Sequence, residues 1–221
     1  MANCAIIFDV DGVLLELTRQ EEDLFFEPFA KRIDATKLSR DWNSYKIRND
    51  EDILNELIER HRLPRTDTKL IRAEYLNLLG QQLANQTIIS QTIAGAPELM
   101  AQLDFATLGI ATANFREAAK LRLGQAGLWS QVAANAFGAD GGGHKHEILG
   151  RALAALKLDR FRIVFIGDNV NDVTAGLKHG VHFIGFSQSP QRRETLRRAG
   201  APHVSANHTQ TLALIKSLLT R

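Results

Sequence analysis

Residues 5–14 read Ala5-Ile6-Ile7-Phe8-Asp9-Val10-Asp11-Gly12-Val13-Leu14. Four apolar residues run straight into a polar turn that contains glycine. A run this short predicts a strand buried on both faces, of the kind found in parallel sheets. Side chains of a strand alternate, so Asp9 and Asp11 are expected to point the same way. Two neighbouring carboxylates repel unless a cation, or a proton on one of them, separates their roles. The end of a central parallel strand is also where open α/β sheets build their sites. Taken alone, the stretch is equally compatible with a solvated turn, because Asp and Gly are ordinary turn residues.

A second acidic cluster shifts the balance. Ile163-Val164-Phe165-Ile166 has the same buried-strand pattern and leads into Gly167-Asp168-Asn169-Val170-Asn171-Asp172. Asp168 and Asp172 are four residues apart, which brings them together if the chain turns helically. Gly167 removes a side chain where the backbone must approach something closely. Two strands that end in glycine-associated aspartate pairs point to a hard-cation site, since Mg²⁺ prefers oxygen ligands and keeps some of its waters. Between the clusters, Phe105–Ala111 is strand-like and ends in Thr112-Ala113-Asn114, with a helix expected over Phe115–Leu123. A hydroxyl and a carboxamide at a helix mouth, beside free N–H groups, make an anion cradle. A simple N-cap is the plainer role for Asn114. Gly141-Gly142-Gly143-His144-Lys145 then opens a helix with apolar positions at Ile148, Leu149, Ala152 and Leu156. Lys145 is either a solvated surface charge or the cation that balances a nucleophile and a phosphoryl oxygen.

Strands are expected near Cys4–Phe8, Ala106–Ala111, Val132–Phe137, Arg162–Ile166, Val181–Phe186 and Pro202–Ala206, separated mostly by helical patterns as βαβ units require. Residues 15–89 break this alternation. They hold amphipathic segments at Asp23–Ile33, Asp50–Arg62 and Lys69–Leu83 and no convincing strand. So much helix between two strands reads as an inserted lobe. The expected fold class is therefore α/β: a parallel-sheet core from residues 1–14 and 90–221, with a helical domain, 15–89, inserted in it.

The 221 residues suffice for one sizeable core plus a smaller lobe. A net charge of +2 gives no strong field for nucleic acid or an anionic membrane. No apolar stretch is long enough to cross a bilayer. Cys4, the single cysteine, reads as a small buried residue of a reducing compartment, and cytoplasmic residence is the expectation. Phe25, Phe26 and Phe29 read as lobe core. Arg192, Arg193, Arg197 and Arg198 read as a solvated helix face, as do His144 and His146 near Lys145.

In this order, FDVDGVL, IATANFREAAKLRL, HKHEIL and FIGDNVNDV resemble the four motifs of the haloacid dehalogenase superfamily, over essentially the whole chain. The resemblance implies a Rossmann-like parallel core with a helical cap over the site. By that resemblance Asp9 would be the nucleophile that takes a phosphoryl group. Asp11 would be the general acid and base and would offer its backbone carbonyl to the metal. Thr112 and Asn114 would hold the phosphoryl oxygens, with Ala113 between them in the same substrate-binding turn, where relatives often have Gly. Lys145 would neutralise the nucleophile. Asp168 would bind Mg²⁺ directly, and Asp172 would support the metal through water or steady Lys145. Glu16 and Leu17 depart from the pattern where the cap is hinged.

An acid at position 11 sets the chain with the phosphatase and phosphomutase branches. LGIATANFREAAKLRLGQAGL looks most like the phosphoglycolate phosphatase-like members. The resemblance thus implies a Mg²⁺-dependent phosphatase of a small phosphorylated metabolite, 2-phosphoglycolate being the first to test, acting as a monomer or homodimer. A mutase similar to β-phosphoglucomutase, and a catalytically silent binding or regulatory module, are the rivals. Within the lobe, Trp42-Asn43-Ser44-Tyr45-Lys46-Ile47-Arg48-Asn49-Asp50 mixes aromatics and cations before a helix. Arg48 is a candidate to grip a second anionic group of the substrate. The plainer alternative is a solvated Arg48, with Asn49 or Asp50 capping the helix.

Overall fold

A computed structural model describes residues 3–220. Among them, six strands form one sheet in the order β3-β2-β1-β4-β5-β6, and every pairing is parallel. The strands are β1 (Ala5–Phe8), β2 (Thr107–Ala111), β3 (Ala136–Phe137), β4 (Ile163–Gly167), β5 (His182–Phe186) and β6 (His203–Ser205). Beginning at β1 the order runs outward one way and then, from β4, the other. Such a reversal opens a crevice at the carboxyl ends of the two strands that flank it. Those strands carry the two aspartate motifs.

β1 is apolar on both faces because both are covered. Ile6 and Phe8 join a cluster with Val164, Ile166, Leu99 and Ile215. Ala5 and Ile7 join one with Phe165, Leu149, Val173 and Phe183 on the opposite face. Helices α4 (Ala96–Ala101), α5 (Arg116–Gln125), α6 (Trp129–Val132), α7 (Lys145–Leu156), α8 (Val170–His179), α9 (Pro190–Arg198) and α10 (His208–Leu219) complete this layered body.

Helices α1 (Arg19–Ala30), α2 (Asp50–Arg60) and α3 (Asp67–Ala84) lie between β1 and β2 around a third cluster, which includes Phe25, Phe26, Phe29, Leu54, Leu57 and Leu79. That cluster recruits Phe115 and Ala118 from around the start of α5, so the lobe packs against the segment that follows the carboxyl end of β2. The chain enters and leaves the lobe on two adjacent segments. Glu16 N donates to Gln91 O at 2.9 Å, and Ile93 N donates to Leu14 O at 2.9 Å.

Three expectations are corrected. α1 begins at Arg19 rather than Asp23, because Thr18 and Glu21 form a reciprocal capping box. β3 is confined to two residues. Val132 ends α6, Ala133–Asn135 form a 3₁₀ turn, and the Asn135 amide donates to Leu108 O at 3.2 Å. Cys4 is half-buried, with Sγ 3.9 Å from Phe105 O, because it precedes the covered part of β1.

Candidate active site

The last ladder bond of β1, from Asp9 N to Ile166 O at 2.8 Å, sets Asp9 beside the end of β4. Two glycines let the acidic segments converge. Gly12 has φ +72°, and a Cβ there would stand 2.4 Å from Asp168 Oδ2. A Cβ on Gly167 would stand 2.3 Å from that of Asp172. Carboxylate oxygens of Asp9, Asp168 and Asp172 therefore lie within 4.8 Å of one another.

Lys145, the first residue of α7, reaches into this cluster. Its Nζ is 2.8 Å from Asp9 Oδ2 and 3.0 Å from Asp172 Oδ1, and its side chain is 8% exposed. The remaining oxygens are also held: Val10 N donates to Asp9 Oδ1 at 2.8 Å, and Asn169 N donates to Asp172 Oδ2 at 3.0 Å. Burial alone would lower the Lys145 pKa, but Asp172 and Asp9 together raise it above the ordinary lysine value. Burial pushes the Asp9 carboxyl well up, and Asp172 and Asp168 add to this against the pull of Lys145. Burial and then Asp172 push Asp168 up to about 7, with Arg192 and Lys145 opposing. Three converging carboxylates face one buried ammonium and the Arg192 guanidinium, and are still one positive charge short. An all-oxygen donor set with that deficit fits a hard divalent cation.

Asp11 stands apart from that cluster. Its Oδ1 accepts from Arg122 Nη1 at 2.6 Å, and its Oδ2 accepts from Asn114 Nδ2 at 3.0 Å. Thr112 is buried, and its Oγ1 accepts from Asn114 N at 3.2 Å. The expected helix-mouth cradle is corrected here. The N–H groups of Phe115 and Arg116 are not free, because Asp50 Oδ2 and Asp140 Oδ2 each accept one at 2.7 Å. Nor does Asn114 cap α5: its carboxamide is drawn sideways to Asp11 and Arg122.

A cavity of about 610 Å³ joins these residues and extends under the inserted lobe, where Trp42, Lys46, Arg48 and Tyr75 line it. Asp9, Asp11, Thr112, Ala113, Asn114, Lys145, Asp168 and Asp172 all line this one cavity. Arg48 is exposed and donates to Asn43 Oδ1 at 2.9 Å, while Asn49 caps α2. His144 is exposed and also lines the cavity.

Three lining residues escape a reading of the sequence. Arg192 is not simply solvated. Its Nη2 meets Asp168 Oδ2 at 2.9 Å, and its Nε donates to Asp168 O at 2.9 Å. Asp50 is buried against α5, with its N–H on Ala113 O at 3.0 Å. Arg122 is buried on α5 among carboxylates. Each looks like a charge on a helix face; for Arg122 the one available signal is that Ala118 and Ala119, one turn earlier on α5, are apolar.

Comparison with known proteins bears on the fold and the family. No curated protein matches the chain. A solved structure of a predicted phosphoglycolate phosphatase from Haemophilus somnus is similar with a TM-score of 0.72 at 15% identity, covering 97% of this chain and 98% of its own. A HAD family hydrolase from Deinococcus radiodurans, solved with bound phosphate and sodium, gives 0.61 at 23% identity, covering 100% and 99%. A protein from Bacteroides vulgatus provisionally named β-phosphoglucomutase gives 0.67 at 17%, covering 99% and 90%. At these identities the likeness establishes the fold. The model of the haloacid dehalogenase-like hydrolases matches residues 5–180, and the chain belongs to that family.

Proposed function

We propose that this hydrolase is a Mg²⁺-dependent phosphatase that cleaves a small-molecule phosphomonoester through a phosphoryl group carried on Asp9. The observation that carries the reading is the contact of Asp9 Oδ2 with Lys145 Nζ at 2.8 Å inside a three-carboxylate cluster. A carboxylate attacks an anionic phosphate only if the repulsion between them is cancelled. Mg²⁺, held by Asp9, Asp168, the backbone carbonyl of Asp11 and, directly or through water, Asp172, would supply Lewis-acid charge stabilisation. Lys145 cancels part of the charge on Asp9, and Asp172 keeps the ammonium in place.

An oxygen of Asp9 forms a bond to phosphorus as the bond to the ester oxygen breaks. Asp11 gives its proton to that leaving oxygen. Asp11 then takes a proton from the water that attacks the phosphoryl-Asp9, which restores the Asp9 carboxylate and releases inorganic phosphate. Thr112 and Asn114 hold the phosphoryl oxygens, with Ala113 between them. Little else is needed, since phosphoryl transfer is mostly positioning and charge stabilisation. Residues 15–89 act as a cap that excludes water and reads the rest of the substrate, Arg48 gripping a second anionic group.

The test is a phosphate-release screen of metabolite monoesters with Mg²⁺, beginning with 2-phosphoglycolate and running Asp9→Asn in parallel. Release by the wild-type protein alone supports the reading. Isomerised sugar phosphate without release of phosphate would make the chain a mutase instead. Arg48→Ala with unchanged KM and substrate preference would remove the role given to Arg48.

A further inference from the structure

The chain buries an arginine against the residue assigned to proton transfer. Arg122 sits on α5 with its side chain 3% exposed. Its Nη1 donates to Asp11 Oδ1 at 2.6 Å and to Asn114 Oδ1 at 3.1 Å, its Nε to Glu21 Oε1 at 2.8 Å, and its Nη2 to Glu16 O at 3.0 Å. Asp11, Glu16 and Glu21 lie on one continuous segment, which runs from the catalytic turn into the first helix of the inserted lobe. Glu21 is equally buried and is completed by the Ser90 hydroxyl at 3.2 Å and the Thr18 hydroxyl at 2.9 Å.

Such a network is a poor way to gain stability. Desolvating ions costs more than their attraction commonly returns, and packed apolar side chains often serve as well. What the guanidinium offers is geometry. Its planar fork fixes several acceptors relative to one another, which an ammonium or an apolar side chain cannot do.

We propose that Arg122 is a positioning residue for Asp11: with Asn114 it clamps the two carboxylate oxygens, and through Glu21 it ties their placement to helix α1. The inference rests on the reading of Asp11 as proton donor and acceptor. Each clamped oxygen retains a second lone pair, so the clamp does not block proton transfer at the carboxyl. Any movement of α1 relative to the sheet pulls on Glu21, and Arg122 passes that displacement to Asp11.

Two probes separate this role from a merely structural one. The p-nitrophenolate leaving group needs almost no proton, whereas phenolate from phenyl phosphate gains from one. First-turnover release of each phenol is measured with Mg²⁺ for wild type, Arg122→Met, Arg122→Lys and Glu21→Gln. A general acid contributes about 10²–10⁴-fold, so Arg122→Met is expected to lose about tenfold or more extra rate with phenyl phosphate than with p-nitrophenyl phosphate. Arg122→Lys should recover little of that ratio, and Glu21→Gln should shift it the same way by a smaller factor. Equal losses on both probes, or none, overturn the proposal. If Arg122→Met does not fold, the Lys and Gln variants carry the same comparison. A wild type that releases phosphate neither from these probes nor from any monoester of the metabolite screen removes the phosphatase reading itself, a result distinct from an unchanged ratio.

Discussion

Asp50 opens helix α2 on the lobe yet is only 1% exposed, wedged against the start of α5. Burial pushes its carboxyl up to about 7; the Phe115 N–H opposes this, Asp11 adds to it, and Arg122 opposes it. The folded protein therefore holds this proton through a pH range in which the unfolded chain, with an ordinary aspartate, has lost it. Stability from this group is highest below about pH 4, falls as pH rises toward 7, and stays low above that. Asp50→Asn keeps an acceptor for the Phe115 N–H and removes the charge. Its stability relative to wild type should rise by on the order of 2–3 kcal/mol between pH 5 and pH 8 in urea unfolding. A gap that does not change with pH would show that Asp50 is not buried as an acid. Asp9, Asp11 and Asp168 were legible in the sequence because each follows a short apolar strand and has a glycine close by. Asp50, Arg122 and Arg192 were not, since a charge on a helix declares its partner only after the helices have packed.

At the scale of elements, the start of α2 grips the loop that presents Lys145. Asp52 Oδ2 accepts from Gly143 N at 2.7 Å, and Asn49 Nδ2 donates to Gly143 O at 2.8 Å. Arg72 of α3 pairs with Asp140 and lies over the Phe115 ring at 4.2 Å. Three consecutive glycines bring no side-chain restraint of their own; the loop is held by residues about ninety positions earlier. Asp52→Ala should cost about 1–3 kcal/mol, the range for leaving a partly buried donor unpaired. Amide exchange across residues 141–145 should rise, and kcat should fall more than KM changes. Unaltered exchange would show that α2 does not restrain the loop. Gly167→Ala would drive a Cβ into Asp172. Loss of phosphate release together with a lowered Tm is the expected result, whereas a fully active Gly167→Ala protein would mean that the close approach is dispensable. Helices α2 and α3 were readable from their apolar spacing, but of the strand expected over Val132–Phe137 only the last two residues pair as β3. An edge strand paired on one side only has little pattern to read, and Asn135 bonds across to β2 from a turn.

Over the whole molecule, reversal of strand order between β1 and β4 brings residues some 160 positions apart into one crevice, and the inserted lobe roofs it. The parallel core was legible because apolar runs alternate with helical patterns. The contacts between lobe and core were not, since they depend on how two separately patterned bodies meet. If a divalent cation joins the three carboxylates, Mg²⁺ at about one hundred times its Kd should stabilise the fold by about 2.7 kcal/mol. Asp168→Asn should lose most of that gain, and an identical gain in the variant would place the ion elsewhere. The most direct test follows the phosphoryl group itself. Protein mixed with a turned-over monoester and Mg²⁺ is quenched in acid, digested and read by mass spectrometry. The account predicts one added phosphoryl group on the peptide that contains Asp9, absent from Asp9→Asn, which releases no phosphate. A phosphoryl group on another residue, or phosphate release that survives in Asp9→Asn, would contradict it.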